Sequence, residues 1–185
     1  TYNKANKILT NSKVLSSELK ELGIKSEVVY SGSIENIRKI KKFKKKSFFK
    51  IISVGRLTEQ KDYFTLLKAI RILKNKNLEL NIFGEGFLKN ELINFIKKNN
   101  LQDIVKLRGH IFNKDKIYKK ADLLIHTAIF EGLPNVIVEA MNYGVPVIAA
   151  DSYGGTREVL SSGKYGELFK PKNFISLANK IDQFM

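Results

Sequence analysis

Cysteine is absent from the 185 residues, so disulfides and thiolate chemistry are both excluded. That agrees with a cytoplasmic setting. Histidine is nearly absent: His110 and His126 are too few for a histidine-based zinc site. Arginine is scarce as well, with Arg38, Arg56, Arg71, Arg108 and Arg157 the five among 33 basic residues. No apolar run reaches the roughly 20 residues that a membrane-spanning helix needs. The opening Thr1-Tyr2-Asn3-Lys4 has neither a signal-peptide pattern nor an initiator methionine, and reads as a cut end.

Positive charge is what the chain has in excess, a formal +15 at pH 7. Such a balance raises the question of nucleic-acid binding. The make-up argues against it, because the excess is lysine spread along the chain among many asparagines. The one dense cluster, Lys41-Lys42-Phe43-Lys44-Lys45-Lys46, precedes a predicted strand, where a solvated linker is expected. Peripheral contact with anionic membrane lipid suits this cluster better than nucleic acid does.

Periodicity predicts one α/β domain preceded by a fragment. Residues 7–10 read as strand, 12–22 as helix with Leu15, Leu19 and Leu22 as its buried stripe, and 27–30 as strand. Residues 31–47 are polar and basic, the expected linker. From residue 48 strands alternate with helices: strands at 49–54, 78–83, 105–107, 123–126, 145–149 and 165–169. Helices are predicted at 59–75, 87–98, 114–120, 134–143, a short stretch after Gly154-Gly155, and 173–184. Alternation of this kind implies a Rossmann-like parallel sheet with helices on both faces, binding its ligands at the carboxyl ends of the strands. The loops there hold nearly all the unusual residues, which predicts one composite site.

Gly55-Arg56-Leu57-Thr58-Glu59-Gln60-Lys61 joins the first of these strands to its helix. Glycine allows a tight turn and close approach to a ligand. Arg56 can grip phosphate oxygens with a bidentate fork, and Lys61 adds a point charge at the helix start. By itself the stretch also fits a solvated turn with an ordinary surface lysine. Gly84-Glu85-Gly86 fits a plain glycine turn, since it lacks the third glycine of a dinucleotide fingerprint; no Walker-type lysine motif occurs. His126 reads as a packed residue without chemistry. Arg157 and Glu158 suit either the site or a helix-surface ion pair.

Glu131 and Glu139 lie eight positions apart in Glu131-Gly-Leu-Pro-Asn-Val-Ile-Val-Glu139. Pro134 and Asn135 open a helix, so Leu133 to Val136 present unpaired N–H groups and a positive dipole end beside two acids. A loop acid and a solvated helix acid would also give this pattern. Yet the helix is otherwise apolar, so the Glu139 carboxylate needs a partner or a ligand. A ligand with a phosphate and several hydroxyls, such as a sugar nucleotide, suits the pair.

Taken in order, the motifs resemble the donor-nucleotide domain of retaining glycosyltransferases of family 4, which have the two-domain GT-B fold and include bacterial mannosyl- and glucosyltransferases. The likeness covers about residues 48–185. It rests on Val54-Gly55-Arg56-Leu57-x-x-Gln60-Lys61, Phe83-Gly84-x-Gly86, Gly109, Ala121-Asp122, Glu131-Gly132-Leu133-Pro134 through Glu139-Ala140-Met141, Gly144-Val145-Pro146-Val147 and Gly154-Gly155-x-x-Glu158. Residues 1–30 resemble the end of the family's acceptor domain, most of which is missing. The chain resembles the C-terminal half of such an enzyme.

The resemblance implies roles. Arg56 and Lys61 hold the diphosphate in the turn begun by Gly55, with Gly84 on the same sheet edge. Glu131 binds hydroxyls of the donor sugar, supported by backbone N–H groups of Gly132, Leu133, Pro134 and Asn135 as far as each carries one. Glu139 takes the ribose hydroxyls, and backbone near His110 and Ile111 lines the base pocket. Fixed donors aimed at the departing diphosphate supply about 3 to 4 kcal/mol each. No Asp-x-Asp sequence offers to hold a divalent metal, so metal-independent transfer, with no cofactor beyond the nucleotide-sugar donor, is expected. The acceptor would be a glycan or a lipid-linked saccharide, and without its acceptor domain the chain is expected to bind donor yet be inactive alone. Two alternatives stand beside this: a sugar-nucleotide epimerase or hydrolase of the same fold, and a non-catalytic basic module for nucleic acid or anionic lipid.

Overall fold

The computed structural model describes residues 5–30, 47–73 and 77–185. The expected linker and its lysine cluster lie outside these but for Ser47, as does the end of the helix expected at 59–75.

The chain opens with a small unit: strand β1 (Leu9–Thr10), helix α1 (Lys13–Glu21) and strand β2 (Glu27–Val28), the two strands pairing in parallel. Ser12 caps α1, its hydroxyl accepting from the Leu15 N–H. The expected buried stripe of α1 is not buried. Leu15 is exposed and Leu22 is 74% exposed, and α1 has no buried residue. Periodicity gives a helix an apolar side, but burial needs something to cover it, and the described elements leave Val14 and Leu19 only half-buried.

The main sheet is built from β3 (Phe49–Val54), β4 (Leu78–Phe83), β5 (Val105–Gly109), β6 (Leu123–His126), β8 (Val147–Ala150) and β10 (Glu167–Phe169). Between these, β7 (Phe130–Glu131) and β9 (Tyr153–Gly154) pair with each other apart from the sheet. All six strands run parallel, in the spatial order β10-β8-β6-β3-β4-β5. Counted from the first strand, this is the doubly wound order 3-2-1-4-5-6, whose direction reverses between β3 and β6.

Helices cover both faces. One face packs α2 (Tyr63–Ile72), α3 (Lys89–Lys98) and α7 (Phe174–Phe184) on Ile51, Leu80, Leu123, Ile125 and Ile148. The other packs α4 (Lys114–Tyr118), α5 (Asn135–Asn142) and α6 (Thr156–Val159) on Ile52, Leu124, Val147 and Ala149. Successive strand residues therefore feed opposite cores, as a pleated strand buried on both sides requires. Leu66 and Leu67 on α2 are fully buried, and truncating either to alanine costs about 2 to 5 kcal/mol.

The helix expected at 59–75 is broken. Glu59–Lys61 forms a single 3-10 turn, and Asp62, at φ 45°, starts α2 as its N-cap. The Asp62 carboxylate accepts from the Thr65 N–H at 3.3 Å and from the Thr65 hydroxyl at 2.7 Å. Negative charge thus meets the positive end of α2. Lys61 precedes the cap rather than opposing the dipole from inside the helix.

Candidate functional site

Backbone pairing between β3 and β6 ends at Ile52 and Leu124. Beyond it the Ser53 hydroxyl donates to the Ile125 carbonyl at 2.7 Å, and the connections leaving the two strands face each other across the switch point. Several bonds fasten them. Thr127 Oγ1 donates to the Lys61 carbonyl at 2.7 Å, the Ile129 N–H to the Gln60 carbonyl at 2.9 Å, and Gln60 Nε2 to the Phe130 carbonyl at 2.9 Å. The fastening carries Lys61 to Glu131, and their side chains form an ion pair only 14% and 12% exposed. The aliphatic stem of Lys61 crosses Gly55, where a Cβ would lie 3.1 Å from Lys61 Cε. Glycine leaves the stem room there.

His126 closes the cluster from below. It is 2% exposed, and its Nε2 stands 3.7 Å from Glu131 Oε1 without a hydrogen-bond partner. Burial, and then the charge of Lys61, push its pKa down to about 3. The imidazole is neutral at ordinary pH, so its contact with Glu131 is not an ion pair.

Glu131 is aimed by its backbone. β7 and β9 approach so closely that a Cβ on Gly154 would lie 1.7 Å from the Glu131 carbonyl oxygen, and one on Gly155 would lie 2.2 Å from that of Gly132. The Gly155 N–H donates to the Glu131 carbonyl at 3.0 Å. Beyond Glu131, Gly132 and Asn135 are exposed, Leu133 is half-buried and Pro134 buried. No side chain caps α5, although the Asn135 and Ile137 N–H groups turn back to the carbonyls of Leu133 and Pro134. From the small unit, the Asn11 amide lies over Gly132.

Arg56 is exposed; its carbonyl accepts from the Thr58 N–H at 2.9 Å, and its side chain makes no hydrogen bond or ion pair with any described residue. Fully buried Leu57 anchors its loop. Gly84 does so too: a Cβ there would lie 1.9 Å from the Gly55 carbonyl oxygen, and its N–H donates to the Gly109 carbonyl at 2.8 Å. Gly84, which the resemblance puts on the ligand edge and which by itself reads as a plain glycine turn, packs backbone on backbone against the Arg56 turn.

Glu139 stands apart from the cluster. Tyr118 donates to its Oε2 at 2.8 Å and Lys114 pairs with its Oε1 at 2.9 Å. The partner that its apolar helix demanded is supplied by α4. Burial and the Glu139 charge push the Tyr118 phenol well above its ordinary pKa, so it remains a donor. His110 is exposed and Ile111 half-buried after β5; His110 packs edge-on against Phe112, itself 91% exposed, with centroids 4.5 Å apart. Arg157 and Glu158 do not join the cluster. Arg157 pairs with Asp151, while Glu158 accepts from the Lys13 N–H at 2.9 Å and from the Tyr30 hydroxyl.

A family model described as glycosyl transferases group 1 matches residues 33–185. The chain belongs to that family. An uncharacterized glycosyltransferase of Methanocaldococcus jannaschii is 34% identical over 185 residues, 87% of this chain and 46% of the relative. N-acetylgalactosamine-N,N'-diacetylbacillosaminyl-diphospho-undecaprenol 4-alpha-N-acetylgalactosaminyltransferase of Campylobacter jejuni is 35% identical over 179 residues, 93% of this chain and 48% of the relative. The crystal structure of Anabaena HepE in complex with UDP and glucose is similar with a TM-score of 0.84 at 25% identity, over 97% of this chain and 53% of that one. The chain spans about half the length of the curated relatives it matches. Its fold is the α/β fold of GT-B glycosyltransferases.

Within this glycosyltransferase fold, Gly55, Lys61 and Glu131 come together at the switch point, and Arg56 borders them. Glu139 and the residues after β5 form separate groups. His126 is the site residue that sequence reasoning passed over. Its one signal was position, an imidazole ending a wholly apolar strand at the ligand edge of the sheet. Among the described residues no three His, Asp or Glu side chains gather as metal ligands would.

Proposed function

We propose that this chain is the donor-binding half of a family 4 glycosyltransferase. It would move a sugar, with retention and without a metal, from a nucleoside-diphosphate sugar to a glycan or lipid-linked acceptor. The observation that carries this is the switch-point cluster: a half-buried Lys61–Glu131 pair beside an exposed Arg56 whose side chain pairs with no described residue. Cations for a diphosphate and an acid for sugar hydroxyls stand together at the switch point, on the sheet edge where such folds bind ligands.

In this reading residues 48–185 bind donor, residues 1–30 end an acceptor-binding unit, and residues 31–47 join them. Arg56 and Lys61 hold the diphosphate. The bond from the sugar C1 to the diphosphate oxygen breaks with its electron pair going to the diphosphate, whose growing charge these cations stabilise. The acceptor hydroxyl oxygen takes that place at C1, its proton passing to the departing diphosphate or to solvent. Glu131 and the 132–135 backbone hold the sugar, Glu139 the ribose, and the residues at 110–111 the base. Retention follows from the family 4 likeness, and metal independence from the missing Asp-x-Asp and the two cations. The diphospho-undecaprenol in the Campylobacter jejuni relative's name supports a lipid-linked acceptor. A cytoplasmic enzyme in peripheral contact with anionic membrane fits that role. No helix of the described residues is long and apolar enough to cross a membrane.

Calorimetric titration of the chain with UDP, GDP and ADP, and with their sugars, tests the reading. One nucleoside diphosphate is expected to bind, and Lys61→Ala to weaken it. Binding of none, or binding indifferent to Lys61, would overturn it.

A further inference from the structure

One oxygen of Glu131 has two suitors. Lys61 Nζ is paired with Oε1, and His126 Nε2 stands 3.7 Å from the same atom, buried and without a hydrogen-bond partner among the described residues. A buried nitrogen with no hydrogen bond destabilises the fold, so its presence calls for a cause. A neutral histidine can present an N–H at Nε2. We infer that His126 and Lys61 trade places at Glu131: Lys61 holds the carboxylate while the site is empty, and His126 takes Oε1 when Lys61 turns to a diphosphate. His126 is thus a positioning residue for Glu131. This rests on the reading of Lys61 as a diphosphate-binding cation.

The surroundings permit the exchange. The Lys61 backbone is tied to Thr127 and its stem lies against Gly55, so only the far end of the side chain has to swing. The Glu131 backbone is held against Gly154 and Gly155, so its carboxylate stays within reach of His126. Closing from 3.7 Å to an ordinary hydrogen bond takes a shift of about 0.8 Å. A carboxylate this sheltered needs a donor once its lysine leaves. Among the other titratable groups nearby, the Tyr63 hydroxyl is committed to the Gly55 carbonyl. A neutral imidazole also adds no positive charge that would repel Lys61.

The exchange makes a prediction of unusual sign. Removing the Glu131 charge should tighten diphosphate binding, because Lys61 is then released in advance, although the sugar loses a hydroxyl acceptor. Removing the His126 N–H should weaken diphosphate binding only while residue 131 is a carboxylate. The test is calorimetry on the 185-residue chain with whichever of UDP, GDP and ADP binds, and inorganic pyrophosphate as the base-free control.

Glu131→Gln is expected to bind about tenfold tighter and His126→Phe about tenfold weaker. The double variant should match Glu131→Gln, and His126→Gln, which keeps an N–H donor, should stay near the wild type. A merely structural role for His126 predicts the same loss in both backgrounds, and that result overturns the exchange. Should His126→Phe not fold, Glu131→Gln decides alone: unchanged or weaker binding refutes it. If the wild type binds none of these probes, the reading of Lys61 fails and the exchange falls with it; binding without coupling sinks the exchange only.

Discussion

Arg56 can be removed without leaving any buried group unsatisfied, since it is exposed and unpaired among the described residues. Arg56→Ala in an enzyme complete with its acceptor half is expected to lower turnover about 100- to 1,000-fold, the scale of one lost charge-stabilising donor. Its melting temperature should not change. Steady-state kinetics decides, and near-normal turnover would remove Arg56 from the mechanism. Glu139→Ala is expected to weaken nucleoside-diphosphate binding, and Tyr118→Phe to do so by about 3- to 10-fold, the scale of one hydrogen bond. An unchanged Kd in both variants would take Glu139 out of the nucleotide site. Single residues were unevenly legible. Arg56, Lys61 and Glu131 stood out because their types and spacing name a chemistry. The partners of Glu139 did not, since Lys114 and Tyr118 reach it across a helix pair that no local pattern announces.

Among elements, the glycine contacts separate packing from exposure. Gly84→Ala would drive a Cβ into the Gly55 carbonyl, at a backbone φ of 142° that already disfavours side chains. A loss of about 1 to 3 kcal/mol is expected. Gly132→Ala meets only the flexible Asn11 amide at 3.2 Å and should unfold like the wild type. Urea denaturation of the two variants checks the contrast, and equal midpoints would contradict it. Legibility of elements followed burial. The strands Phe49–Val54, Leu78–Phe83 and Leu123–His126 were read to the residue, because a strand covered on both faces is a short apolar run between breaks. The β7–β9 pairing was not read, since two residues make no pattern. The helix break at Asp62 was missed because the apolar periodicity begins only at Tyr63, and the polar run Glu59–Asp62 carries no pattern that tells a 3-10 turn and cap from a first helical turn.

For the whole molecule, His126 links stability to acidity. Its pKa is pushed from 6.5 down to about 3 in the folded chain, so between those values the unfolded chain binds more protons. The stability from keeping it neutral is complete above pH 6.5 and drains away as pH falls toward 3, at up to about 1.4 kcal/mol per pH unit. The wild type should lose more melting temperature between pH 6.5 and 4.5 than His126→Gln, which has no imidazole to protonate. Parallel losses in thermal melts would refute this. The alternation of strands and helices made the parallel sheet legible, but not which loops would meet, because strand order is set by long-range packing. Nor could it reveal that the apolar side of α1 is only partly covered.

Glu158 sits on the short helix α6, yet its two oxygens engage both ends of the small unit, the start of α1 and the segment after β2. Both bonds fasten that unit to α6, and the same unit lays Asn11 over Gly132. One carboxylate outside the switch-point cluster thereby helps to seat the residue that covers the loop beside Glu131.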